Sequence, residues 1–266
     1  MCAPVGACTS ETRPPPLRLG TTYTVEQSGA LALLDSLRPS LPLRIVVGAS
    51  GQILRSAAAG DLDVVLTHAP SLEQRLLIAP GRAALRCPFV ASRFAIVGPR
   101  ADPARVATAP SAAAAFQRIA VARSAFVSRG DSSGTHVKEL DLWTAAGLTP
   151  PPGRGDGWYV QAGVDQAGTL RIADERGAYA LADVPTFSRF PDLSLRVVFT
   201  ADSALNNPYT LYVIRSTSAQ PPPGGTRFAT WALTDWRARL LALRLPGDGA
   251  AFAPLPGGCT APVAGP

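Results

Sequence analysis

The strongest constraint on this chain is a repeated order: a short apolar run, a turn of glycine and hydroxyl residues, then a stretch of helical periodicity. Strands are expected at Leu17–Gly20, Leu43–Val47, Asp63–Thr67, Phe94–Val97, Ala125–Ser128, Ala178–Ala182, Leu195–Phe199 and Leu211–Ile214. Helices are expected over Ser28–Leu37, Gly51–Ala59, Ser111–Ala122, Gly168–Arg176 and Thr226–Leu245, and from Thr135 to a stop at Gly147. In the Thr135 helix the spacing of Val137, Leu140, Trp143 and Ala146 predicts the buried face. Strands alternating with helices predict an α/β protein whose mostly parallel sheets carry helices on both faces. Such folds bind ligands beyond the carboxyl ends of strands, where helices begin.

Three of these junctions share one design. They are Thr21-Thr22-Tyr23-Thr24, Gly48-Ala49-Ser50-Gly51, and Ser128-Arg129-Gly130-Asp131-Ser132-Ser133-Gly134-Thr135. A helix N-terminus offers unpaired N–H groups and the positive end of the dipole, so small hydroxyl and glycine residues there suit an anion. One such turn is ordinarily only a helix cap, which is the simpler reading of the first two. The third adds Arg129, a forked and permanently charged donor. Asp131 is expected as a turn residue or as the partner orienting Arg129. His136 is expected to face solvent or cap locally, and His68 to be a buried, hydrogen-bonded histidine after its strand.

Composition narrows the class. The 266 residues carry 47% hydrophobic content, enough for one large or two modest cores, and no apolar run reaches the length of a membrane-spanning helix. The net charge is +6, but Lys138 is the sole lysine and the arginines are scattered. That is an anion-tolerant surface, not the basic, aromatic-interleaved patch of a nucleic-acid binder. Of four cysteines none are spaced for zinc, and no metal or cofactor is expected. Cys8 and Cys259 lie in Pro/Gly-rich tails, and an oxidising compartment would allow a disulfide between them, with Cys87 as a core residue. Met1-Cys2 fits either a processed lipoprotein beginning at a lipidated cysteine or an ordinary chain start.

The chain resembles the tungstate-binding periplasmic proteins of the TupA type, a branch of the substrate-binding proteins of ABC importers. The resemblance runs from Leu17 to Leu245. It is carried by Leu17-Arg-Leu-Gly-Thr-Thr-Tyr-Thr24, Val47-Gly-Ala-Ser-Gly-Gln52, Gly60-Asp-Leu-Asp-Val-Val-Leu-Thr-His-Ala-Pro70 and Phe94-Ala-Ile-Val-Gly-Pro99. It continues in Phe126-Val-Ser-Arg-Gly-Asp-Ser-Ser-Gly-Thr-His136, Lys138-Glu-Leu140, Trp158-Tyr159 and Asn207-Pro-Tyr209. It implies a two-lobed periplasmic-binding-protein fold closing on its ligand. Lobe 1 would be residues 17–97 plus 206–245 and lobe 2 residues 98–205, with a tether over 1–16 and a tail over 246–266. Phe94–Gly98 and Asn207-Pro208-Tyr209 would be the crossovers. Oxyanion contacts are implied at Thr22, Tyr23, Thr24, Ser50, Gly51, Arg129, Ser133, Gly134 and Thr135. The implied protein is no enzyme. It is a monomer outside the cytoplasm, lipid-anchored if Cys2 is processed, delivering tungstate or molybdate to an ABC permease.

Tyr23, Asp165-Gln166-Ala167 and Asp183-Val184-Pro185 depart from the family pattern at places where selectivity is set. A phosphate or sulfate carrier of the same fold is the nearest alternative, with Asp63 as a pocket carboxylate, although a strand-entry turn residue is the preferred role there. Gly130-Asp131-Ser132-Ser133-Gly134 is also similar on its face to the nucleophile segment of trypsin-like proteases. Strand–helix alternation contradicts that all-β fold.

Overall fold

The computed structural model describes residues 15–37, 41–148, 157–215 and 223–263. Strands β1 (Leu17–Thr22), β2 (Leu43–Gly48) and β3 (Val64–Thr67) are parallel, with β1 central. Their strand–helix turns lead into α1 (Tyr23–Gln27), α3 (Ser50–Ala59) and α4 (Pro70–Glu73), and α2 (Ala30–Leu37) follows α1. The single helix expected over Ser28–Leu37 is thus two, because Gly29 takes a left-handed φ of +86° and ends α1. A π-helical turn over Gln74–Ile78 extends α4.

The strand expected at Phe94–Val97 is the end of a 16-residue strand, β4 (Ala83–Gly98). Its first part pairs antiparallel with β9 (Asn206–Ile214), which in turn pairs with β3. Its last residues pair with β7 (Ala180–Asp183) and β8 (Arg196–Phe199) in a second sheet. The two crossing strands lie side by side at the junction, with Ser92 opposite Asn207. The second sheet continues through β5 (Phe126–Ser128) and β6 (Tyr159–Gln161), which are parallel. Val127 N–H to Tyr179 O and Tyr179 N–H to Ala125 O, both 2.8 Å, join β5 to the residue before β7. Helices α5 (Ala112–Val121), α6 (Gly134–Ala145), α7 (Gln166–Glu175) and α8 (Val184–Phe187) complete this lobe.

Each sheet is covered on both faces, so its strands read as continuous apolar runs. Along β3, Val64 and Leu66 enter a core with Leu34, Phe89 and Trp236, while Val65 meets Ile53, Leu54 and Tyr212 on the other side. Along β4, Phe94 and Ile96 join Phe116, Phe126 and Trp143, while Ala95 and Val97 join Val127 and Leu170. The chain ends in α9 (Pro223–Trp231), a π-helical turn over Ala232–Trp236, α10 (Arg237–Ala242) and the short β10 (Ala253–Pro254).

Two further expectations are corrected. Cys87 and Cys259 form a disulfide, because an antiparallel bridge between Arg86 and Thr260 brings the tail alongside β4. Cys8 lies outside the described residues, as do Met1 and Cys2. On α6, Leu140 is exposed and Glu139 is buried with Thr135, Leu142 and Trp143. Glu139 is tolerated inside because its Oε1 accepts from Trp143 Nε1 at 3.2 Å and Tyr159 OH at 2.9 Å. Asp63 precedes β3 and is held by Arg18, whose N, Nε and Nη2 donate to it at 2.6–3.1 Å. Its carboxylate is therefore the strand-entry turn element preferred from the sequence, and not a pocket group.

Candidate functional site

Six strand–helix junctions meet between the lobes. From lobe 1 come the ends of β1, β2 and β3, and from lobe 2 those of β5, β6 and β7. The facing loops touch. Ser50 Oγ accepts from Gly134 N at 3.0 Å, and Gly51 N donates to Ser132 O at 3.2 Å. Gln27 spans the cleft twice, with its Nε2 donating to Asp165 Oδ2 at 2.8 Å and its Oε1 accepting from Ala167 N at 3.2 Å. Thr186 Oγ1 reaches Thr24 O at 3.5 Å.

Arg129 is the centre of the site's electrostatics. Its side chain is 1% exposed. Nη2 donates to Asp131 Oδ2 at 2.5 Å, while Nε and Nη1 are buried with no acceptor among the described residues. Burial lowers the guanidinium's pKa and Asp131 offsets that, with smaller support from Asp165 and Tyr23. Asp131 serves both expected roles, since Oδ1 also accepts from Ser133 N at 3.0 Å.

The nine expected contact residues fall into three groups. Thr24 and Thr135 are buried with unpartnered hydroxyls, as Arg129 is with its two donors. Thr22 and Ser133 are committed as N-caps, accepting from Val25 N at 3.3 Å and His136 N at 3.2 Å. Ser50, Gly51 and Gly134 make the lobe-to-lobe contacts, and Tyr23 begins α1 within electrostatic reach of Arg129. His136 caps locally, its Nδ1 accepting from Ser132 N at 3.1 Å. His68 is buried as expected, with Nδ1 3.0 Å from Asn207 Oδ1.

Sequence reasoning missed two features. Gln27 carries no motif, and only its pairing with Asp165 reveals it. Asp183, at the end of β7, is fully buried and gathers Ser92, Asn207, Tyr209 and Thr186 around its carboxylate at the crossing of β4 and β9. Burial raises its pKa and those donors oppose the rise. Asp183 had registered only as part of a departure from the family pattern.

A pair of sheets joined by two crossing strands, with facing helix N-termini around a buried arginine, defines a two-lobed periplasmic binding protein. The PBP superfamily domain matches residues 9–235, and the chain belongs to that superfamily. Within it, the chain belongs to the TupA family. It is 33% identical over 228 residues to the tungstate-binding protein TupA of Peptoclostridium acidaminophilum, covering 82% of this chain and 77% of that one. It is 37% identical over 205 residues to a putative ABC transporter anion-binding protein of Haloferax volcanii, covering 73% of this chain and 58% of that relative's length. The solved structure of the tungstate-binding protein TupA from Desulfovibrio alaskensis superposes with a TM-score of 0.72 at 28% identity, covering 92% of this chain and all of that one.

Proposed function

We propose that this protein captures a tetrahedral oxyanion, tungstate or molybdate, outside the cytoplasm and hands it to an ABC permease. The observation that carries this reading is Arg129. A buried guanidinium is costly unless its donors are satisfied, and Asp131 takes one nitrogen while Nε and Nη1 find no acceptor among the described residues. An oxyanion supplies those acceptors. Thr24 and Thr135 offer buried hydroxyl donors from the facing strand–helix junctions, and Gly134 and Gly51, whose amides bond across the cleft, hold those junctions together. The remaining expected residues, Thr22, Tyr23, Ser50 and Ser133, shape and close the pocket.

Capture involves no chemical step. Closure of lobe 1 (17–97 plus 206–245) on lobe 2 (98–205) strips water from the anion and replaces it with fixed donors, which are stronger in a water-poor site. The names of the relatives support tungstate as the ion and a permease as the partner. The protein acts as a monomer in this proposal. A thermal-shift screen of tetrahedral oxyanions tests the reading. Tungstate and molybdate should raise the melting temperature with saturating dependence, and no response to either would contradict it.

A further inference from the structure

His68 borders the cleft between the lobes, and the family resemblance assigns it no contact. It follows β3, so it leaves lobe 1 at the same carboxyl edge as the other junctions. Its ring abuts the start of α6: a Cβ on Gly134 would lie 2.7 Å from Cε1 and 2.8 Å from Nδ1. Tyr209 stacks on the ring at 4.8 Å, with Phe94 6.2 Å away.

Hydrogen bonding fixes the tautomer. Asn207 Nδ2 lies 3.0 Å from Asp183 Oδ1, an acceptor, so it is the amide nitrogen, and Oδ1 faces His68. Nδ1 of His68 therefore donates to Asn207, and Nε2 of the neutral ring carries a lone pair. That Nε2 is buried and has no partner among the described residues.

The surrounding charges state what a ligand would meet. Arg129 and Asp131 act on the imidazole from the β5–α6 loop, and they already form an ion pair with each other. Asp183 is one residue further, through Asn207, and Tyr209 is neutral. Glu73 on α4 is engaged by Thr67, Ala69 and Tyr212. A dianion thus enters a pocket whose main cation is largely offset, beside an imidazole nitrogen that in its neutral form only accepts.

We propose that His68 is a recognition residue of the oxyanion pocket and takes up one proton when the dianion binds, Nε2–H then donating to a ligand oxygen. The inference rests on the oxyanion reading. Burial, reinforced by Arg129, lowers the pKa of the ligand-free ring to about 4, so the ring is neutral at pH 7 and the proton comes from solvent during binding. A dianion raises that pKa. Affinity therefore increases as pH falls through the window between the pKa of the complex and about 4, by up to about tenfold per pH unit.

Calorimetric titration with tungstate at pH 7, repeated in buffers of different ionisation enthalpy, counts the protons. The wild type should take up close to one proton per ion bound, and His68→Gln should take up almost none. A second readout needs no His68 variant. The chain has two histidines, so imidazole ¹⁵N shifts of the wild type and of His136→Gln assign His68, which should become an imidazolium on tungstate addition. Tungstate binding without proton uptake, unchanged uptake in His68→Gln, or a His68 ring that stays neutral would each overturn the inference. Absence of binding would overturn the oxyanion reading and this inference with it.

Discussion

Ser50 Oγ accepts a 3.0 Å hydrogen bond from the Gly134 N–H, joining the helix start of one lobe to that of the other. The Gly134 N–H at the first position of α6 has no acceptor within its helix, and Ser50 takes it, so residues of the expected oxyanion set hold the lobes together. The recognition loops and the closure contacts thus share the same turns. Conditions that weaken closure should weaken binding, and the reverse should hold by linkage.

Arg129 should be indispensable. Removing a charged hydrogen bond costs about 1.5–3 kcal/mol, which is tenfold or more in affinity. Arg129→Lys keeps the charge but loses the fork that serves Asp131 and a ligand at once. Both Arg129→Ala and Arg129→Lys should weaken tungstate binding at least about tenfold by calorimetry.

Gln27 should act as a latch. Its two cross-cleft hydrogen bonds, to Asp165 Oδ2 and from Ala167 N, are worth about 0.5–1.5 kcal/mol each. Gln27→Ala removes both without touching the ligand shell. The ligand-free protein should show a larger radius of gyration by small-angle scattering, and tungstate affinity should fall about three- to tenfold because binding must then drive closure. An unchanged radius and affinity would assign Gln27 no such role.

Much of this arrangement was legible in the sequence, because it depends on local periodicity and on helix-start chemistry. Ser111, Ser133 and Thr22 cap helices where short polar residues precede apolar periodicity. What escaped is non-local. The part of β4 from Ala83 to Arg93 is interrupted by Arg86, Pro88, Ser92 and Arg93, so no apolar run marks it, yet pairing with β9 makes it a strand with a register shift at Pro88. Glu139 spoils a helical-face argument because Trp143 and Tyr159, four and twenty residues away, satisfy it inside the core. Gln27 and Asp183 acquire their roles only from partners 138 and 91 residues distant.

Glu139 should make stability pH-dependent. Burial raises its folded-state pKa from 4.5 to about 7, against the opposing hydrogen bonds. The folded protein therefore holds this proton more tightly than the unfolded chain does. Its stabilising contribution is complete below about pH 4.5 and is lost as pH rises through about 7. In urea denaturation the wild type should lose on the order of 2–3 kcal/mol relative to Glu139→Gln between pH 4.5 and 8. A constant difference across that range would contradict the assignment.

The Cys87–Cys259 bond closes a loop with a sequence separation of 172 and fixes the tail along β4. Cross-links of long loops typically contribute about 2–4 kcal/mol. Cys259→Ser should lower unfolding free energy by about that amount, and reductant should destabilise the wild type while leaving the variant unaffected.

Competition calorimetry with tungstate, molybdate, sulfate and phosphate on the wild type and Arg129→Ala tests the central claim most directly. Tungstate or molybdate should bind the wild type one to one and most tightly, displacing sulfate and phosphate, and Arg129→Ala should lose that binding. Preferential binding of phosphate or sulfate, or full tungstate affinity in Arg129→Ala, would contradict it.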